Sequence, residues 1–283
     1  MKVCIIGAFG WYGWISEWVS YAFKDNGYEV TEVDRKSMQD IPVNQDLYVY
    51  TDCSEDYSSN MPDYGPSICW FGDVHMPGGA DRSVNIARKC DLVFASNYEH
   101  GVKILEKFGI KAYLMPLTYS LDLLTQSTPD RFHGPIDFVM IGNDNSSQRR
   151  ELWSLMDKYT SWHGRAETPT EYAEKMRSTQ VVINQPTEPW DMILNNRFFE
   201  ALGFEKVLFQ KRLKTDLIEK LGFKDGKDFY YWSDLEELEV LMDKFVRRPQ
   251  DFPPRYGGLI EYSMYSQVQK IMAITLSELW NKL

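Results

Sequence analysis

Asn195-Asn-Arg-Phe-Phe-Glu-Ala-Leu-Gly-Phe-Glu-Lys-Val-Leu-Phe209 carries polar residues inside an otherwise apolar helix-then-strand pattern. With residues 191–202 helical, Arg197 and Glu200 stand three apart on one face, and Phe198, Ala201 and Leu202 form a stripe for burial. Gly203 then ends the helix at little steric cost, and residues 207–209 read as a short buried strand. Two readings of the polar pair stay open on these residues alone: a ligand-facing pair, or a surface ion pair on an ordinary buried helix.

Outward from this stretch the strand and helix rhythm continues. Downstream lie a Leu-containing helix at 217–221, Gly222 and Gly226, the aromatic strand Phe229-Tyr-Tyr-Trp232, and an acidic helix at 234–246. Ser233 and Glu236 have the spacing of a capping box for that last helix. Upstream, the loop Gln185-Pro-Thr-Glu-Pro-Trp-Asp-Met192 is stiffened by two prolines. Further upstream, an apolar strand at 136–141 runs into Gly142-Asn-Asp-Asn-Ser-Ser-Gln-Arg149-Arg150 and then a helix. A strand that ends in Gly and small polar residues before a helix offers backbone N–H groups to an anion, and Arg149 or Arg150 adds charge. Neighbours on a helix point about 100° apart, so one of these two arginines is expected to be dispensable.

The pattern Arg-x-x-Glu-Ala-x-Gly-x-x-x-x-Leu from Arg197, with the elements that follow it, resembles the donor-binding half of glycosyltransferases of the GT-B fold. It is most similar to the "glycosyl transferases group 1" domain of the CgeB-like (spore maturation protein) family, over residues 136–283 well and over the first half in general layout. The resemblance implies an α/β protein of two Rossmann-like domains facing across a cleft. Residues 1–128 would form the acceptor side, 136–257 the nucleotide-sugar domain, and 258–283 a helix crossing back to the first domain. It also implies that Glu200 holds the ribose hydroxyls of the donor and that Arg197 faces its phosphates. Asn196 is grouped with them, and a Gly loop followed by an Arg stands in that family where Gly142 and Arg149 or Arg150 stand here. The donor is a co-substrate, first of all a UDP-sugar, and no cofactor is expected. Such enzymes offset diphosphate charge with helix N-termini and cationic side chains, and the chain has no D-x-D motif, so no metal is expected either. One departure stands out. Many retaining members carry a Glu eight residues before the ribose-binding one, where this chain has Met192, with Glu188 and Asp191 out of register. No catalytic Glu is carried over, and the stereochemical outcome stays open.

The first half opens like a Rossmann unit: a strand at 2–7, the loop Gly7-Ala-Phe-Gly10-Trp-Tyr-Gly13, then an amphipathic helix. Gly10, Trp11 and Tyr12 are candidates for an acceptor-side loop. Asp34 ends the second strand where a nicotinamide-binding protein grips the adenosine ribose, so an NAD(P)-dependent oxidoreductase or epimerase using the Gly7 to Gly13 turn is a rival. Short-chain-type reductases need Y-x-x-x-K, which occurs nowhere in the chain, and this weakens the rival. A non-catalytic binding protein of the same fold is the third reading. A strand at 67–71 runs into Gly72-Asp73-Val-His75-Met-Pro-Gly-Gly79, at the carboxyl end of a parallel strand where open α/β sheets place ligands. Residues i and i+2 of an extended stretch share a side, so Asp73 could deprotonate an acceptor hydroxyl with His75 steering it. A turn-forming Asp and a surface His are the alternative. Residues 125–135, rich in Pro, Ser and Thr, form the candidate linker.

The net charge of −10 is uneven: residues 1–130 hold 10 Lys+Arg against 18 Asp+Glu, and residues 131–283 hold 21 against 23. The acidic first half disfavours duplex DNA as acceptor, while a glycan, a protein or a modified nucleobase all remain open. Four scattered Cys and four His suggest neither a zinc site nor a disulfide framework. No run of 18 apolar residues occurs and Met1-Lys-Val-Cys-Ile-Ile enters a strand directly. Neither a membrane span nor a signal peptide is therefore expected, and the expected location is the cytoplasm, of a bacterium or of a phage host.

Overall fold

A computed structural model describes residues 1–9, 15–72, 74, 78–120, 136–143, 146–186, 194–254 and 260–279. The chain divides into two units, Met1–Leu121 with Glu261–Leu283, and Asp122–Ile260.

In the first unit the strands β1 (Lys2–Gly7), β2 (Glu29–Asp34), β3 (Leu47–Tyr50), β4 (Ser67–Phe71), β5 (Leu92–Ala95) and β6 (Tyr113–Leu114) form one sheet in the order β2-β1-β3-β4-β5-β6. Every pairing is parallel. Strands covered on both faces must be apolar at successive positions, which is why Val3, Cys4, Ile5 and Ile6, or Ile68, Cys69, Trp70 and Phe71, read as unbroken runs. Helix α1 (Ile15–Asp25) buries Trp18, Val19, Ala22 and Phe23 at helical spacing against one face. Helices α2 (Gly79–Ala87) and α3 (Lys103–Lys107) follow β4 and β5, and a π-helical turn at Tyr98–Val102 leads into α3.

Among its described residues the second unit has five strands, β7 (Ile136–Ile141), β8 (Ser161–Gly164), β9 (Thr179–Asn184), β10 (Val207–Lys211) and β11 (Tyr230–Trp232), all parallel in the order β11-β10-β9-β7-β8. Between them run α4 (Ser147–Met156), α5 (Pro169–Ser178), α6 (Asn196–Gly203) and α7 (Leu217–Lys220), with α8 (Leu235–Arg247) after β11. Phe138, Phe209, Phe245 and Phe252 pack edge to face or tilted at the centre of one layer. The chain then returns to the first unit. Met264 N–H donates to the Tyr119 carbonyl at 2.9 Å, and Met264, Val268, Ile271 and Met272 of α9 (Met264–Leu279) join Trp18, Val19 and Phe23 in one apolar cluster. Among the described residues no helix is long and apolar enough to cross a membrane.

Two local expectations change. The organising helix begins at Asn196 rather than at 191, with Asn195 extended at its N-cap. It ends at Gly203 as expected, and the left-handed residue after it is Glu205 (φ 54°). The turn is stabilised because Phe204, Glu205 and Lys206 N–H groups donate to the carbonyls of Glu200, Leu202 and Ala201. Helix α8 is capped one residue later than the Ser233 motif suggested: Asp234 accepts from Glu237 N–H, and the Glu237 carboxylate accepts from Ser233 N–H, both at 2.8 Å.

Candidate functional site

In the second sheet the chain leaves β7 to form β8 on one side and then returns to form β9 on the other. The loops after β7 and β9 therefore diverge, leaving the crevice at the carboxyl ends of the strands where open α/β sheets bind ligands. Two arginines meet there. Ser146 caps α4 by accepting from Arg149 N–H at 3.2 Å, and the Arg149 side chain folds back so that Nη1 reaches the Asn143 carbonyl at 2.9 Å and Nη2 the Gln185 carbonyl at 3.4 Å. A Cβ on Gly142 would lie 3.1 Å from Arg149 Nη1, so glycine at 142 lets the guanidinium lie across the end of β7. Arg150, one position on, is exposed. From α6, Arg197 donates through Nη1 to the Ile141 carbonyl at 3.0 Å, at the end of the same strand. Burial, and then the neighbouring Arg197 charge, lower the pKa of Arg149. Arg149 Nε is buried with no partner. Bringing two cations together carries a cost in desolvation and repulsion, which an anion placed between them would offset.

Glu200 lies behind Arg197. Its side chain is 1 % exposed. Oε2 accepts from the Tyr172 hydroxyl and Oε1 from Asn196 Nδ2 at 2.9 Å, while Arg197 Nε stands 3.7 Å from Oε2. Burial raises the Glu200 pKa, against the opposing pull of Arg197 and of the Tyr172 hydrogen bond. The surface ion pair that the residues alone left open is thus ruled out for Glu200. Asn195 is held by an amide pair with Asn184, Nδ2 to Oδ1 at 2.8 and 3.1 Å, and Asn184 also donates to Gln210 Oε1 at 2.8 Å. This network ties the start of α6 to the ends of β9 and β10 and satisfies groups that would otherwise be costly to bury.

In the first unit the sheet reverses between β1 and β3. A Cβ on Gly7 would fall 2.1 Å from Ser16 Oγ and 2.3 Å from Thr51 Oγ1, two hydroxyls that bond each other at 2.8 Å. Gly7 is therefore required by strand-to-helix packing, a duty independent of any ligand. Asp34 accepts from Lys36 N–H at 2.9 Å and from Phe9 N–H at 3.5 Å. Gly10, Trp11, Tyr12, Asp73 and His75 lie outside the described residues. Next to Asp73, the Gly72 carbonyl at the exit of β4 accepts from Ser96 Oγ at 3.1 Å, and Asn97 Nδ2 donates to Ser96 Oγ at 2.9 Å.

Sequence reasoning brought Gly142, Arg149, Asn196, Arg197 and Glu200 into one unit, and the structure gathers them at the carboxyl ends of its central strands. It missed Tyr172, Asn184 and Gln210. The amides carried a legible signal, since Asn184 directly follows the apolar run at 181–183 and Gln210 the apolar run at 207–209. Tyr172 carried none, because an aromatic residue on an amphipathic helix reads as core.

Residues 123–252 match a family model described as glycosyl transferase-like, a segment that contains this whole crevice. No curated protein matches the chain in sequence. Among solved structures, HepE from Anabaena in complex with UDP-glucose is similar at TM-score 0.64 and 12 % identity over 99 % of this chain and 100 % of that one. The galactosyltransferase WaaB, which acts in the lipopolysaccharide outer core, is similar at TM-score 0.55 and 10 % identity over all of both chains. So is a UDP-GlcNAc 2-epimerase from Neisseria meningitidis bound to UDP-GlcNAc, at TM-score 0.53 and 9 % identity over 98 % and 100 %. The chain has the GT-B fold. That agrees with the architecture expected from the sequence, including the last helix returning to the first unit, whereas the CgeB-like assignment is not established by these matches.

Proposed function

We propose that this protein is a glycosyltransferase that takes a sugar from a nucleotide donor, UDP-linked in the first instance, and passes it to a hydroxyl acceptor. The observation that carries the reading is the meeting of Arg149 and Arg197 at the carboxyl end of β7, inside the segment that matches the glycosyl transferase-like model. There the diphosphate would lie against both guanidinium groups and the α4 N-terminus, with the Gly142 loop letting it approach the backbone closely. Fixed cations aimed at the leaving diphosphate stabilise charge that grows in the transition state, and this serves the reaction without a metal. Arg150, one residue along α4, has the lesser share, and Asn196 and Glu200 contribute from behind Arg197. In this reading the acceptor binds through the first unit, with the Gly10, Trp11 and Tyr12 loop contributing. Asp73 takes the acceptor proton with His75 steering it, and such a base implies inversion at the anomeric carbon. The acceptor class is a glycan, a protein or a modified base, and the setting is the cytoplasm.

A second reading is favoured by the similarity to UDP-GlcNAc 2-epimerases, whose donor chemistry leaves no transferred sugar. Mass spectrometry and NMR on the protein with UDP-, GDP- and TDP-sugars separate the two. Slow acceptor-free release of nucleoside diphosphate supports transfer. Conversion of UDP-GlcNAc to its 2-epimer replaces it with the epimerase, and no binding of any nucleotide-sugar removes both.

A further inference from the structure

Asn97 stands just past β5, at the carboxyl ends of the first sheet's parallel strands, the side on which open α/β sheets take up ligands. Its side chain is held by hydrogen bonds that run in one sense only. The Gly72 carbonyl can only accept, so Ser96 Oγ gives it its single proton at 3.1 Å. Ser96 must then accept from its neighbour, which fixes Nδ2 as the Asn97 atom 2.9 Å away and turns Oδ1 elsewhere. Oδ1 is buried, on a residue 5 % exposed, and among the described residues it has no hydrogen-bond partner. The usual duty of an asparagine at this position is missing too. Asn97 precedes the π-helical turn Tyr98–Val102, yet its side chain makes no capping bond to that turn. The turn is fixed by other means, through the Val102 N–H bond to the Asn97 carbonyl at 2.9 Å and through Gly101, whose Cβ would fall 2.9 Å from that of Ala95. Turns of this kind are frequent at functional sites, and an acceptor buried in this way costs stability until a donor reaches it.

We infer that Asn97 Oδ1 is a contact for the acceptor substrate in the first unit, taking a hydrogen bond from a sugar hydroxyl, and that the acceptor is a neutral saccharide. The inference rests on the glycosyltransfer reading above and narrows its acceptor. A carboxamide oxygen accepts and repels anions, so a phosphate or carboxylate group does not suit it. It is also too weak a base to take a proton, so the hydroxyl it holds is not the one that attacks. A saccharide brings a further hydroxyl for this purpose, whereas a serine side chain or a hydroxymethyl base brings only the one that must react. Ser96 acts through Asn97 and is a positioning residue: it aims the amide and holds the carbonyl of Gly72, the residue before Asp73.

NMR titration tests this in wild type, Asn97→Leu and Asn97→Ala, beside a thermal melt of each. The probes are methyl glycosides of glucose, galactose, mannose and N-acetylglucosamine, then glucuronic acid, N-acetylserinamide and UDP. Wild type is expected to bind at least one neutral glycoside, and both variants to lose about tenfold or more in that affinity while UDP binds as before. Since the variants remove an acceptor that the empty fold leaves unpaired, their ligand-free midpoints should stay within about 5 °C of wild type. If Asn97→Leu does not fold, the alanine variant carries the test. A larger drop in every variant that folds, or an equal loss of UDP affinity, would make Asn97 a structural residue and overturn the inference. Glycoside binding that the variants keep overturns it, and so does wild type that binds UDP but no neutral glycoside, or only glucuronic acid or N-acetylserinamide beside UDP. Should wild type bind neither UDP nor a glycoside, the glycosyltransfer reading and the inference fall together.

Discussion

Replacing Arg149 with alanine should separate binding from stability, because the side chain is costly to the empty protein and valuable to the loaded one. On the cost side, its Nε is buried without a partner, worth about 1–3 kcal/mol against the fold, and the Arg197 charge opposes it. On the other side stand two hydrogen bonds to carbonyls, at 2.9 and 3.4 Å, the second near the geometric limit, for about 1 kcal/mol each. These nearly cancel, so the thermal midpoint of the ligand-free variant should stay within about 3 °C of wild type. With UDP bound, the lost contact is between a guanidinium and a phosphate, worth about 1.5–3 kcal/mol, or roughly 10- to 150-fold in affinity. Fluorescence titration with UDP alongside a thermal melt reads both quantities. Unchanged affinity would refute the diphosphate assignment, and a midpoint lowered by about 8 °C or more would make Arg149 a structural residue. Arg150→Ala, on the exposed side of the same turn, should leave affinity near wild type.

Gly7→Ala forces a methyl group onto the Ser16 and Thr51 hydroxyls and should cost about 1–3 kcal/mol; an unchanged urea midpoint would contradict this. Asn184→Ala strands the amides of Asn195 and Gln210, with a similar expected loss in urea unfolding and weaker UDP binding through the displaced start of α6. Since the folded-state pKa of Glu200 is raised, the native protein binds more protons than the unfolded chain above the ordinary Glu range, and Glu200 stabilises less as pH rises. Stability of Glu200→Gln relative to wild type should therefore increase as pH rises above the ordinary Glu range, and a flat or falling difference in denaturant titrations would count against the buried carboxylate. Asp73→Asn should lose transfer by about 10² to 10⁴ while donor affinity stays near wild type, and a product of retained anomeric configuration would remove Asp73 as base.

The order of strands and helices was legible in the sequence because its cause is local. Runs such as Val3 to Ile6 and Val181 to Ile183 are apolar at every position only when both sheet faces are covered, and helical stripes such as Trp18, Val19, Ala22 and Phe23 repeat at the helix period. The burial of Phe198, Ala201 and Leu202 followed from the same periodicity. Helix ends were less legible. The left-handed residue at Glu205 and the cap at Asp234 depend on which carbonyls and N–H groups lack partners, and a motif shifted by one residue meets the same composition rule. What only the tertiary structure decided is the use made of the polar residues. Arg149, Tyr172, Gln185, Arg197 and Glu200 come from four separate elements, and their contacts exist because the parallel sheet puts the ends of β7 and β9 side by side. A one-dimensional pattern records the spacing of Arg197 and Glu200 on their helix, but the desolvation that turns that pair inward comes from α5, whose Tyr172 is 28 residues away along the chain from Glu200.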